Sequence, residues 1–217
     1  MLKIAYSLPE KCLSNAELVK LYPEWTEDKI FAKTGIAIRH VTEDHEGVLE
    51  LSEKACRELF ASGVDPRVID FVLLCTQSPK YRLPSTACLL QHQLGISTSA
   101  GALDYDLGCS GFVYGLAIAK GLVTARVARN VLLVTAEIYT KYVGAQDKST
   151  RTIFGDGAAA TLIDEDAAGR IGSFELGSDG SGAGRLILRE GERLFMDGPE
   201  IFNFTLEVVP RTIDAVC

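Results

Sequence analysis

The fold is decided by the stretch ALDYDLGCSGFVYGLAIAKGLVTA, Ala102 to Ala125, because a strand pattern changes into a helix pattern within it. Ala102 to Leu107 follow an alternating, strand-like pattern. After Gly108 and Cys109, apolar residues recur at helical spacing: Phe112, Leu116, Ala119 and Val123. We therefore expect Cys109 to lie at an elbow where a strand passes directly into a helix.

This elbow makes Cys109 a candidate nucleophile. The first turn of a helix has unpaired backbone N–H groups and the positive end of the helix dipole, and both favour a thiolate over a thiol. Gly108 and Gly111 leave room for a substrate carbonyl to approach the backbone, where the Cys109 N–H can stabilise an oxyanion. Because most cysteines are small buried hydrophobes, the spacing alone leaves a purely structural role open.

Composition narrows the classes of partner. The chain has 217 residues, of which 47% are apolar, and this is ample for a hydrophobic core. Its net charge of −7, without a run of basic residues, argues against a nucleic acid or an anionic membrane as partner. No apolar segment reaches the ~20 residues of a membrane span, and none at the start resembles a secretion signal. We expect a cytoplasmic protein.

The cysteines predict neither a metal site nor a disulfide framework. They form no CxxC pair and no close cluster with histidine: Cys12, Cys56, Cys75, Cys88, Cys109 and Cys217. Reduced thiols are the expectation for such spacing.

The chain opens with predicted short helices. Ser14 and Glu17 have the spacing of a capping box, which opens a helix that Pro23 closes. Thr26 is the candidate N-cap of a second helix, and Gly35 is its predicted left-handed cap.

Two apolar runs are typical of buried strands. Ile69 to Thr76 and Asn130 to Thr135 are too continuously apolar to alternate, as in central parallel strands that are covered by helices on both faces. Strand and helix patterns alternate along the chain with short connections, which implies right-handed crossovers. The sequence therefore predicts a layered α/β domain with a mixed, largely parallel sheet.

The segments that follow are predicted from local composition. Thr140 to Thr152 is polar and predicted to be a loop. In FGDGAAATLI, Phe154 to Ile163, the glycines turn the chain into a strand, and we expect Asp156 to bond to nearby backbone N–H groups. The GDG motif lacks the Lys-Ser/Thr of a P-loop, so it does not indicate a nucleotide site. Arg170 to Leu176 is predicted to be a strand.

Composition shifts at Gly169, and we predict a division into residues 1–168 and 169–217. The last segment has the pattern of a helix, with a kink at Pro210 and one apolar stripe: Phe202, Leu206, Val209, Ile213 and Val216. Because the stripe reaches the last residue without a polar or glycine cap, we expect a chain that is cut inside a helix.

Several motifs in register resemble the β-ketoacyl-acyl-carrier-protein synthase III family. They are AKTGIAIRHV (Ala32 to Val41), GVDPRVIDFVLLCTQSP, RLPSTACLLQHQLGI, DLGCSGFVYGLAIA, FGDGAAATLI and FMDGPEIFNF, and together they cover essentially the whole chain. The resemblance implies a thiolase-like layered fold, with the first βαβαβ repeat complete and the second truncated. It also implies an acyltransferase of fatty acid biosynthesis, which works as a homodimer without a metal or bound cofactor.

The resemblance assigns the nucleophile to Cys109. In the family, this cysteine takes an acyl group from a thioester, malonyl-carrier protein loses CO2, and the resulting carbanion attacks the acyl-enzyme. A His and an Asn of the second repeat stabilise the enolate, and neither has a counterpart in this sequence. His40, His45 and His92 precede the elbow and match neither. Either both partners lie beyond Cys217 in a longer product, or a half-enzyme has another role.

The resemblance also suggests how substrate is bound. Lys33 and Lys148 fall where the family has basic residues near the phosphates of coenzyme A or acyl-carrier protein. Lys29 replaces the aromatic residue that stacks on the adenine, which favours a carrier-protein donor over coenzyme A. Further positions match residues that line the acyl tunnel or reach into the partner's tunnel: Leu83, Tyr139, Phe154 and Met196.

Three functions remain open at this stage. The first is a condensing acyltransferase, in which Cys109 is acylated and a carbon nucleophile attacks the acyl group. The second is acyl transfer to an oxygen or nitrogen acceptor without decarboxylation. The third is a non-catalytic subunit that pairs with an active homologue.

Overall fold

The structure is a computed structural model that describes residues 3–216. Within this range the chain forms two compact units. The first contains residues 3–11, 40–138 and 156–172, and the second contains residues 12–39, 139–155 and 173–216. Each unit is therefore assembled from separate segments of the chain.

Strands and helices are interspersed along the described range. The strands are β1 (Lys3–Ser7), β2 (Cys12–Ser14), β3 (Ile38–His40), β4 (Phe71–Cys75), β5 (Gly101–Tyr105), β6 (Val131–Glu137), β7 (Gly157–Ile163), β8 (Leu186–Ile187) and β9 (Phe195–Met196). The helices are α1 (Asn15–Leu21), α2 (Glu27–Thr34), α3 (Val48–Ala61), α4 (Thr86–Gln93), α5 (Gly111–Thr124), α6 (Lys148–Arg151), α7 (Glu165–Arg170) and α8 (Gly198–Val216).

The first unit is built on a sheet of five strands in the order β1-β7-β6-β4-β5. β4 pairs in parallel with β5 and with β6, as the apolar runs predicted. β7 runs antiparallel to both β6 and β1, so the sheet is mixed, and the other four strands run in one direction, as the sequence predicted. β7 is antiparallel because it re-enters the sheet beside β6 at the end where β6 left it, and antiparallel neighbours need no crossover.

The central strand β4 is covered on both faces. Val72 and Leu74 face a core that includes Leu51 and Leu59 of α3, whereas Leu73 faces a second core formed with Ala119 of α5. All six side chains are fully buried. Burying a leucine contributes roughly 1.5 to 3 kcal/mol, so both faces of the strand must be apolar. This explains why the run of apolar residues does not alternate.

The predicted helix caps of the second unit are confirmed. The Ser14 hydroxyl accepts from the Glu17 N–H at 3.2 Å, and the Glu17 carboxylate accepts from the Ser14 N–H at 2.8 Å. Thr26 accepts from the Lys29 N–H at 3.2 Å. Gly35 ends α2 with φ of +70°, in the left-handed region that glycine tolerates. These contacts satisfy backbone groups at the helix ends.

Two local predictions are wrong. Residues 140–152 are not a plain loop, because they contain α6, whose N-cap Asp147 accepts from the Ser149 and Thr150 N–H groups. Arg170 to Leu176 is not a strand: Arg170 ends α7, which Asp164 caps, and residues 171–179 have no regular structure. A strand needs a neighbour for its backbone groups. Here the Lys120 ammonium donates to the carbonyls of Ile171 at 2.5 Å and Gly172 at 2.9 Å.

The final helix α8 carries the predicted apolar stripe on its surface. Phe202 is 61% exposed, Leu206 60% and Ile213 55%, and no residue of α8 is buried. Pro210 lies inside the helix, as expected. Between residues 3 and 216, no helix is long and apolar enough to cross a membrane.

Candidate active site

Cys109 lies at the strand-to-helix elbow of the first unit and is exposed. β5 ends at Tyr105 and α5 begins at Gly111, so the helix starts two residues after the cysteine rather than immediately. The Gly111 N–H donates to the Gly108 carbonyl at 2.8 Å, which closes a tight turn around Cys109 and Ser110. We call residues 107–111 the elbow loop. Cys109 directly precedes Ser110, the N-cap of α5.

Two side chains from the sheet hold the elbow loop at both ends. The Cys75 thiol donates to the Leu107 carbonyl at 3.0 Å, and the Tyr105 hydroxyl donates to the Gly111 carbonyl at 2.7 Å. Burial raises the pKa of Cys75 and the pKa of Tyr105. Both groups therefore remain protonated at neutral pH and keep donating.

Glycines let α5 approach the sheet closely enough for these contacts. A Cβ on Gly111 would collide with the sulfur of Cys75. A Cβ on Gly115 would collide with the hydroxyl of Tyr105 and would lie 2.6 Å from Cδ1 of Leu133. The small residues thus fix the height of the helix above the strand ends.

A carboxylate, Glu137, ends β6 at the same edge of the sheet. Its Oε1 accepts from the Gln77 N–H at 2.6 Å, and its Oε2 accepts from the Ser78 hydroxyl at 2.7 Å. The Gln77 side-chain amide in turn donates to Oδ1 of Asp106 at 2.8 Å. Burial, assisted by the charges of Asp106 and Asp156, raises the pKa of Glu137 to about 7. No group of three potential metal ligands occurs among residues 3–216.

Asp156 does not make the local turn that the GDG motif predicted. Its Oδ2 accepts from both the N–H and the hydroxyl of Thr42, each at 2.8 Å. Its own N–H donates to the His40 carbonyl at 2.8 Å. The sequence prediction was wrong because these partners lie 114 and 116 positions away and are brought together only by the fold. His40 itself is held by the Pro9 carbonyl, 2.7 Å from its Nδ1.

Leu83 also belongs to the first unit. It is 86% exposed and is followed by a cis peptide bond to Pro84, directly before α4. The start of α4 is held by Asp104 of β5, whose carboxylate accepts from the Thr86 and Ala87 N–H groups, both at 2.6 Å.

The predicted basic residues lie in the second unit. The ammonium groups of Lys29 and Lys33 each lie 5.3 Å from the ring centre of Trp25, within cation–π range. Lys148 forms an ion pair of 2.5 Å with Glu24. Trp25, which was not predicted from the sequence as a site residue, therefore contacts both Lys29 and Lys33.

The remaining predicted tunnel residues are also in the second unit. The rings of Tyr139 and Phe154 meet edge to face, with centres 5.3 Å apart. Met196 lies on β9 and is partly buried. The structure thus brings Tyr139 and Phe154 into direct contact.

The sequence analysis missed five residues around the elbow: Cys75, Gln77, Tyr105, Asp106 and Glu137. Each ends a parallel strand or follows one within two residues, and ligands of open α/β sheets bind outside the carboxyl ends of such strands. Polar residues after the predicted buried strands were therefore the pattern that could have revealed them.

Comparisons with known proteins agree on one family. The family model described as 3-oxoacyl-(acyl-carrier-protein) synthase III matches residues 103–180. The β-ketoacyl-(acyl-carrier-protein) synthases III of Caldanaerobacter subterraneus and Lactococcus lactis are 35% and 34% identical over 93% and 97% of this chain. The chain spans 66% and 69% of their lengths, or about two thirds.

Solved structures give the same result. A crystal structure of a 3-oxoacyl-(acyl-carrier-protein) synthase III superposes with a TM-score of 0.90 at 45% identity, over 98% of this chain and 71% of that one. The enzyme of Pseudomonas aeruginosa superposes with a TM-score of 0.89 at 31% identity, over 99% and 69% of the two chains. The priming β-ketosynthase of the R1128 polyketide pathway superposes with a TM-score of 0.87 at 30% identity, over 96% of this chain and 66% of that one.

Proposed function

The chain belongs to the 3-oxoacyl-(acyl-carrier-protein) synthase III family of acyltransferases, and we propose that Cys109 is its acyl-accepting nucleophile. The observation that carries the proposal is the exposed thiol in the tight turn before α5. The match to the family model includes this turn. The thiolate is the reactive form of a cysteine, and an exposed thiol is accessible to a thioester donor.

The loading step follows from this placement. The Cys109 thiolate attacks the carbonyl carbon of an acyl thioester, a new carbon–sulfur bond forms, and the donor leaves as its thiolate, which takes up the proton that Cys109 lost. Backbone N–H groups of the elbow loop are suited to stabilise the oxyanion of the tetrahedral intermediate. The acyl group then waits on the enzyme as a thioester.

We propose decarboxylative condensation with malonyl-carrier protein as the second step. Loss of CO2 gives a carbanion, which attacks the acyl carbonyl and releases the Cys109 thiolate. In the family, a His and an Asn of the second repeat assist here, and no residue of this sequence matches them. We therefore assign acyl loading to this chain and make condensation depend on partners that residues 1–217 do not supply. The division at residue 169, where the second repeat would begin, remains part of this proposal.

The basic cluster of the second unit is proposed to bind the donor's phosphates. The ammonium groups of Lys29 and Lys33 both lie 5.3 Å from the ring centre of Trp25, and cationic side chains suit a phosphate. Lys148 would add a third charge by exchanging Glu24 for the ligand. Phosphopantetheine of acyl-carrier protein and coenzyme A both present such groups, so both are proposed donors.

The acyl chain is proposed to lie along Tyr139, Phe154 and Met196. Their apolar surfaces, with two rings already in contact, suit an alkyl chain better than a polar ligand. Leu83, which is 86% exposed, is proposed to reach a second copy of the chain in a homodimer. A leucine at this position would leave room for a longer or branched acyl group.

The test is intact mass spectrometry after incubation with acetyl-coenzyme A, longer acyl-coenzyme A and acyl-carrier protein. We expect one acyl adduct that is lost in Cys109→Ala and kept in Cys88→Ala, which removes another exposed cysteine. An adduct that survives in Cys109→Ala would contradict the assignment of the nucleophile. No adduct with any donor would favour the non-catalytic class, and loading of acetyl groups alone would remove the argument for a longer chain.

A further inference from the structure

We propose that Glu137 is a positioning residue, which sets the orientation of the elbow loop through Gln77 and Asp106. The proposal rests on the proposed role of Cys109, because the elbow loop matters for chemistry only if this thiol reacts. It adds a residue that is far from Cys109 in sequence and belongs to another strand.

Three strand ends meet at one edge of the sheet. β4 lies between β6 and β5, and its last residue, Cys75, is in register with Thr135 of β6 and with Tyr105 of β5. All three strands run in the same direction, so the residues that follow them emerge side by side. Glu137 and Asp106 therefore flank the segment that follows β4.

Gln77 connects the two carboxylates. Its backbone N–H donates to Glu137 at 2.6 Å, and its side-chain amide donates to Asp106 at 2.8 Å. Two like charges would repel each other, and one residue that donates to both offsets part of that repulsion. Ser78, which is 2% exposed, donates to the other oxygen of Glu137 and fixes its rotamer.

Asp106 is only three residues from Cys109 along the chain. Asp106 precedes Leu107, whose carbonyl is held by the Cys75 thiol, and Cys109 follows two residues later. Fixing Asp106 and Leu107 leaves few backbone dihedrals free before the sulfur. A misplacement of about 1 Å can lower a rate by about a hundredfold, so such a restraint bears directly on reactivity.

The network is poised to respond to pH. The charged and titratable groups near Glu137 are Asp106, Asp156 and Cys75. Burial and the two aspartates raise the pKa of Glu137 to about 7. When Glu137 takes up a proton, one of its oxygens becomes a donor, and either Gln77 or Ser78 loses an acceptor. The elbow loop is then held less firmly below neutral pH.

The test measures the reactivity of Cys109 without any acyl donor. Iodoacetamide alkylates the thiolate, with a new carbon–sulfur bond formed and iodide released, and peptide mass spectrometry reads each cysteine separately. Rates are measured from pH 6 to 9 for the wild type, Glu137→Gln and Gln77→Ala. Glu58→Gln, on the exposed face of α3, is the matched control. The exposed Cys88 serves as internal reference in every sample.

We expect Glu137→Gln to change the Cys109 rate about tenfold and to remove an inflection near pH 7, while the Cys88 rate stays the same. Gln77→Ala should change the Cys109 rate by a similar factor. The variant that combines both substitutions should show no larger change in this rate than the single variant with the larger effect. Asp106→Asn, whose carbonyl still accepts from Gln77, should retain the wild-type rate that Asp106→Ala loses.

Wild-type Cys109 rates and pH profile in Glu137→Gln would overturn the proposal, as would an equal effect of Glu58→Gln. A different result would contradict the proposed function of Cys109 and leave the positioning role of Glu137 intact. If no acyl adduct forms but the alkylation rate still depends on Glu137, the positioning role stands and the acyl-loading role falls.

Discussion

We predict that Gly115→Ala and Gly121→Ala, the same substitution on the same helix, have opposite effects on stability. Both glycines lie inside α5. At Gly121 an added Cβ has nothing within 4 Å. Alanine is better than glycine in a helix by about 1 kcal/mol, so Gly121→Ala should raise the free energy of unfolding by up to that amount.

At Gly115 the same gain is offset by a clash. The new Cβ would lie 2.6 Å from Cδ1 and 3.1 Å from Cδ2 of Leu133, which is 1% exposed in the central sheet and cannot swing away. Overpacking of this kind costs about 1 to 3 kcal/mol. It would also displace the Tyr105 hydroxyl from the Gly111 carbonyl, a hydrogen bond worth about 1 kcal/mol. The two variants should therefore differ by about 2 to 4 kcal/mol.

The assay is urea unfolding of both variants and the wild type, followed by circular dichroism and tryptophan fluorescence. Cys109 alkylation gives a second readout, because a helix that is pushed off the sheet takes the elbow loop with it. Free energies of unfolding for the two variants within about 0.5 kcal/mol of each other would refute the argument that Gly115 sets the height of α5.

Three further predictions follow from individual contacts. Because the pKa of Glu137 is raised to about 7, the folded state binds a proton that the unfolded state releases at lower pH. Wild type should thus lose ~2 to 3 kcal/mol relative to Glu137→Gln as pH rises from 5 to 8, and parallel curves in urea unfolding would contradict this. Ser14→Ala removes the cap of α1 and should lower the free energy of unfolding by about 1 kcal/mol, whereas an unchanged value would show that Glu17 caps alone. Leu206→Ser on exposed α8 should change stability by less than about 0.5 kcal/mol but reduce self-association in sedimentation; a large loss of stability would mean that the side chain is covered.

Local features of the fold were predictable from the sequence. The cap of α1 by Ser14, the left-handed Gly35 and the elbow at Cys109 each depend on a few neighbouring residues, so short patterns predicted them. The burial of β4 was equally readable, because a strand covered on both faces must be apolar throughout.

Contacts between distant segments were not predictable. Asp156 binds Thr42, 114 positions away, and Glu137 binds Gln77 across 60 positions. Such pairs depend on the order of strands in the sheet, which hydrophobic periodicity does not encode. The strand predicted from Arg170 to Leu176 failed for the same reason. The local pattern encodes neither the end of α7 at Arg170 nor the contact of the distant Lys120 with the carbonyls of Ile171 and Gly172.

The pairing of β1 with β7 has a consequence for synthesis on the ribosome. Lys3 is in register with Leu162, so the first strand is translated more than 150 residues before its neighbour exists. At about 5 to 20 residues per second, this interval lasts about 8 to 30 s. The nascent chain therefore emerges with an unpaired strand edge, and a chaperone that binds extended segments has ample time to hold it.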